Sequence, residues 1–182
     1  MASGPGLQNL ALGPRTCRGQ LPLPRYAIST NRSIRLAAQP FDAAAEYRAF
    51  EAKLAGEGAI VTFTGAARPR AHDGEEVKTL FLDHHPRMTE TSLREIAEDA
   101  RRRFDVSAIT VVHRCGEVAA GDTIVFVAAA AIHRRAAFEA AAYAMDRLKT
   151  DAVFWKREDS VDGSRWIEPT LADKADRARW SE

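Results

Sequence analysis

Cysteine is scarce in this chain. Cys17 and Cys115 are the only two, and no CxxC is present. They cannot form a disulfide framework, and a reducing, cytoplasmic compartment is expected. His84, His85 and His113 do not combine with the cysteines in a metal-ligand spacing, so no metal and no cofactor is expected. Long hydrophobic runs are also missing. The longest, Ile124 to Ile132, is strand-sized and cannot span a membrane. Neither sign of charge dominates: the net charge is +1, which leaves no global field to draw nucleic acid. There is no P-loop, no HExxH and no GxSxG. Finally, no acidic residue precedes Asp42.

That acid-free start, with Arg15, Arg18, Arg25 and Arg32, sets residues 1–32 apart. It reads as a disordered extension or a misassigned start; an organelle transit peptide is the alternative. The rest suits one globular domain, residues 33–168, followed by a charged peripheral tail, 169–182. The pattern predicts strands at 33–38, 58–65, 77–84, 108–113, 122–132, 153–158 and 164–168. Helices are predicted from Asp42 to about Ala55, from about Met88 to Phe104, and from Arg134 to Lys149. Residues 116–122 read as a turn. The strand at 77–84 is expected to pair with the one before it, and Asp162-Gly163 to close a hairpin. Hairpins mixed with helices argue for an α+β fold with a largely antiparallel mixed sheet and flanking helices.

Residues 121–158 organise this plan. A buried strand, a helix and a second strand place basic groups at three element ends. His133 and Arg134 stand at a helix N-terminus, where unpaired N–H groups favour an anion. Arg68 follows a strand in the loop Thr64-Gly65-Ala66-Ala67-Arg68, where it can grip a phosphate. On the helix, Arg134, Phe138, Ala141, Met145 and Lys149 fall within about 80° of one another. That stripe is either a core face with snorkelling ends or the floor of a groove. Lys149 ends the helix and Lys156 lies in the next strand. Two lysines brought together, or buried, titrate lower and can move protons near neutrality. Cys115 reads as a packing residue rather than a nucleophile. The residues thus describe an anion site with acid–base lysines and no obvious nucleophile, so the reactive atom has to arrive on a partner.

From residue 33 to 180 the chain resembles the large, catalytic subunit of molybdopterin synthase. The blocks that carry the likeness are GAIVTFTGAAR, HHPRMTE, HRCGEV, GDTIVFV, HRRAAFEA and MDRLKTDAVFWKRE. The resemblance implies an α/β hammerhead fold. It implies sulfur transfer to cyclic pyranopterin monophosphate (precursor Z), giving the dithiolene of molybdopterin. Sulfur would come as a thiocarboxylate on the C-terminal Gly-Gly of a small ubiquitin-like subunit. The assembly would be a heterotetramer built on a homodimer of the large subunit. Lys149 matches the catalytic lysine and Lys156 the second site lysine. Arg68, His133 and Arg134 match pterin-phosphate contacts, some given by the neighbouring protomer. Arg157 and Glu158 continue the binding block, Ala66 and Ala67 belong to the binding loop, and Phe63 and Met145 would line the pocket. Ala66 stands where the family often has a basic residue, so here only its backbone is available. The alternatives are a non-catalytic partner-binding scaffold of the same fold and a nucleic-acid binder using the arginine-rich start.

Overall fold

The computed structural model describes Met1 and residues 33–181. The expectation for the N-terminal extension lies outside the described residues. The chain runs β1 (Ile34–Ala37), α1 (Ala43–Glu51), β2 (Ala59–Ala66), β3 (Val77–His84), α2 (Pro86–Phe104), β4 (Ala108–Arg114), β5 (Gly116–Ala119), β6 (Thr123–Ala131), α3 (Arg134–Thr150), β7 (Phe154–Ser160), β8 (Ser164–Ile167) and α4 (Leu171–Ala178).

The strands form two four-stranded sheets, ordered β1-β4-β6-β2 and β5-β3-β7-β8. Only β1 and β4 run parallel; the other pairs are antiparallel. The α+β architecture with mainly antiparallel pairing is therefore as the hydrophobic pattern indicated. One pairing differs. β3 does not join β2; it pairs with β5 and β7, while β2 pairs with β6. The apolar β6 is buried from Val125 to Ala131, and its polar backbone needs a neighbour on each side, which β4 and β2 supply. The loop after β2 is tied to the turn before β6 instead: Ala67 N–H donates to Asp122 O, and Gly121 N–H to Ala67 O. The chain then enters the second sheet.

β4 passes to that sheet almost at once. Gly116, at φ +74°, takes a left-handed conformation that other residues avoid, and the chain changes sheet around it. The expected turn over 116–122 accordingly contains β5. One boundary also shifts: α1 ends at Glu51 rather than Ala55. Pro86 opens α2, its ring pre-set for a first turn. The β7–β8 hairpin closes at Gly163, φ +142°.

Helices cover the first sheet on both faces. α2 and α3 pack Leu93, Ile96, Tyr143 and Leu148 against Val111 and Val127. α1 brings Phe50 against Val112, Phe126 and Ala128. Ala137, Ala140 and Ala141 of α3 meet Ala129 and Ala131 of β6, so small side chains let helix and strand approach closely. The segment 169–182, expected at the periphery, holds α4. None of its helical residues is buried. Trp180 beyond it packs edge-on against Phe104 and Tyr143.

Candidate functional site

A cavity of about 920 Å³ opens between the two sheets and the ends of α3 and α4. β2 supplies Phe63, Gly65 and Ala66, and Arg68 follows in the loop. β3 and β6 supply the apolar Leu80, Leu82, Ile124 and Val125. α3 contributes Met145, Leu148 and Lys149 from its last turns, β7 Lys156 and Glu158, and α4 Asp173.

The lysines expected to meet do so. Lys149 Nζ donates to Asp173 Oδ1 at 2.8 Å. Lys156 reaches the cavity from β7, and burial pushes its ammonium below the usual lysine range; the neighbouring Lys149 charge pushes the same way, and Asp173 opposes. The side chains of Arg68 and Lys156 make no hydrogen bond or ion pair among the described residues. Elsewhere in the wall Arg165 bridges Asp73 at 2.6 Å and Glu158 at 2.9 Å. Two cations, one of them largely buried, are thus left to an incoming anion. The burial of Lys156 strengthens its attraction for an anion within the cavity; Arg68 is exposed at the cavity's edge.

His113 forms part of the same wall. Its Nδ1 lies 2.7 Å from Arg114 O. A carbonyl only accepts, so Nδ1 carries the proton and Nε2 is left bare. Burial pulls its pKa down to about 4; the hydrogen bond to Arg114 opposes this and the Lys156 charge adds to it. The ring stacks on Phe154 with centroids 4.3 Å apart. His113 is therefore a neutral, fixed imidazole beside a buried ammonium.

Seven of the residues expected at the site line this cavity: Phe63, Ala66, Arg68, Met145, Lys149, Lys156 and Glu158. Ala67 does not; it is 2% exposed, with its backbone engaged by residues 121 and 122. Arg157 also differs. Alternation along β7 turns it to the opposite face from Lys156, over Phe81 at 4.8 Å and Trp166 at 5.6 Å, with an ion pair to Asp159. His133 and Arg134 are exposed at the start of α3. Fifteen residues of helix separate Arg134 from Lys149, about 22 Å along the axis. One chain cannot bring both ends of α3 to one small substrate. Cys115 is buried, its thiol pushed up by burial, and packs as expected. His113, Arg165 and Asp173 were not foreseen. For His113 a signal existed: in AITVVH it alternates with the residues of the opposite face. For Asp173 the signal was the Thr170-x-x-Asp173 capping pattern.

Among the described residues no three His, Cys, Asp or Glu side chains converge as metal ligands. Nor is any helix there long and apolar enough to cross a membrane.

The MoaE protein family model matches residues 36–151. The molybdopterin synthase catalytic subunit of Pseudomonas aeruginosa is 43% identical over 150 residues, covering 82% of this chain and 99% of that one. Its Escherichia coli counterpart is 46% identical over 143 residues, covering 78% and 93%. The solved structure of the molybdopterin biosynthesis MoaE protein of Burkholderia ambifaria superposes with a TM-score of 0.70 at 39% identity, covering 83% of this chain and 99% of that one. With the cavity and its lysine pair held in the fold these relatives share, the chain belongs to the MoaE protein family, that of the molybdopterin synthase catalytic subunits.

Proposed function

We propose that this chain is the catalytic subunit that turns cyclic pyranopterin monophosphate into molybdopterin in the cytoplasm. It takes sulfur from the thiocarboxylated C-terminus of a small ubiquitin-like subunit. The observation that carries this reading is the unpaired, largely buried Lys156 beside Lys149, in a cavity that also holds the free Arg68. The cavity has cations and no evident nucleophile: Cys115 does not line it. A nucleophile delivered on a partner's tail meets that need.

In this reading Arg68 takes the substrate phosphate, Lys156 steadies the thiocarboxylate, and Lys149 moves a proton and stabilises the charge that develops as sulfur attacks. Apolar Phe63 and Met145 flank the ring and the tail. His133 and Arg134 serve the cavity of a second copy, because α3 holds them about 22 Å from their own Lys149. A homodimer of this chain with one small subunit on each half follows. Glu158, already bonded to Arg165, orders the wall.

The purified chain, the thiocarboxylated small subunit and cyclic pyranopterin monophosphate should together yield molybdopterin. Lys149→Ala should lower turnover by about 10²–10⁴-fold while the two subunits still co-elute. Undiminished turnover would remove Lys149 from the chemistry.

A further inference from the structure

α4 carries a group into the cavity. Asp173 divides its two carboxylate oxygens between two tasks. Oδ1 accepts from Lys149 Nζ at 2.8 Å. Oδ2 accepts from Thr170 N at 2.9 Å and from Thr170 Oγ1 at 2.8 Å, completing a capping box at the start of α4. The carboxylate therefore cannot swing away without uncapping the helix. The far end of α4 is held as well. Arg177 pairs with Asp151 at 2.8 Å, and Asp146 accepts from Arg179 at 2.8 Å and from Trp180 Nε1 at 2.7 Å. Lys149, by contrast, is a long side chain with 49% of its surface exposed, whereas Asp173 is 16% exposed. Left alone such an ammonium samples many rotamers.

We propose that Asp173 is a positioning residue for the lysine pair: from the capped start of α4 it fixes the Lys149 ammonium at the cavity wall and supplies the counter-charge for both lysines. This rests on the catalytic reading of Lys149 above. Burial pushes the Asp173 carboxyl up, but its bonds to Lys149 and Thr170 outweigh that and hold it at about 2, so it is ionised at neutral pH. The groups that act on Lys156 are Lys149 from α3 and Asp173 from α4, with the neutral His113 from β4 beside it; Arg68, Arg70, His72 and Glu168 line the same cavity, and Asp73 and Glu158 are already bonded to Arg165. Of the charges acting on Lys156, that of Asp173 opposes the fall in its proton affinity.

The test uses the full chain with the thiocarboxylated small subunit and cyclic pyranopterin monophosphate, measuring kcat from about pH 6 to about pH 10. Asp173→Asn should lower kcat about tenfold, leave KM for the small subunit within about twofold, and move the alkaline limb to lower pH, because Lys156 loses its opposing charge. Asp173→Glu should keep the limb in place and recover most of the rate. Arg177→Ala loosens α4 without touching the carboxylate; it should lower the melting temperature and leave the limb where it is. If Asp173→Asn fails to fold, Asp173→Glu decides, since a limb moved to lower pH in that variant overturns the proposal. So does Asp173→Asn with unchanged kcat and limb while Lys149→Ala is inactive, or Arg177→Ala shifting the limb as far as Asp173→Asn. Full turnover in Lys149→Ala defeats the catalytic reading first and leaves Asp173 nothing to position.

Discussion

Thr89 offers the sharpest test of how the fold delivers Lys156 to the cavity. It lies in the first turns of α2 and is fully buried. Its Oγ1 donates to Val153 O at 2.6 Å and accepts from His85 N at 3.2 Å. One turn on, Ser92 Oγ accepts from Val153 N at 3.2 Å. Two hydroxyls of one helix thus hold both backbone groups of Val153, the residue that leads into β7 and stands three positions before Lys156. Thr89→Val keeps the volume and removes the hydroxyl. The Val153 carbonyl then loses its side-chain donor, which costs about 1–3 kcal/mol, and the His85 N–H loses an acceptor near solvent, for about 1 kcal/mol more. A total near 3 kcal/mol lowers the melting temperature by about 6–12 °C in a chain of this size. Thr89→Ser keeps the hydroxyl and loses one methyl, so it should cost only about 1 kcal/mol. Thermal unfolding followed by circular dichroism ranks the three proteins. A Val variant that melts within about 2 °C of the parent, or a Ser variant less stable than the Val one, refutes the reasoning.

Acid should weaken the fold through His113. Its folded pKa of about 4 lies below the ordinary 6.5, so between those values the unfolded chain binds the extra proton and stability falls as pH drops. The loss approaches about 3 kcal/mol, and His113→Phe should flatten that limb in urea titrations at stepped pH. Lys156→Met should raise stability by about 1–2 kcal/mol, because it removes a desolvated charge that makes no direct ion pair and that Asp173 only partly offsets, while turnover drops; a lower melting temperature contradicts this. Gly58→Ala should destabilise by about 1–3 kcal/mol. Its Cβ would sit 2.6 Å from Ile132 O, and neither backbone can yield easily; chemical denaturation measures it.

The elements and the lysine pair were legible because their signals are local. β6 is a continuous apolar run with a helix behind it, and Lys149 and Lys156 stand at the end of one element and within the next. What was not legible depends on partners distant in sequence. β2 and β3 are neighbours along the chain, yet the loop between them is tied to residues 121 and 122, and no local pattern announces that attachment. Arg157 sits in a run of site residues, but the two-residue alternation of β7 turns it away from Lys156 and Glu158. Asp173 lies in a charged stretch with few apolar residues, so periodicity gave it no weight; only its contact with Lys149 makes it part of the site. His133 and Arg134 carry the right chemistry at the wrong end of α3 for their own chain.

The length of α3 has a genetic consequence. In the proposed homodimer each subunit lends the start of this helix to its neighbour, so damage at Arg134 and damage at Lys149 would fall on different halves of the pair. Mixing inactive Lys149→Ala protein with inactive Arg134→Ala protein then gives hybrids in which one centre inherits both lesions and the other inherits neither. Two dead alleles would complement each other in such a hybrid.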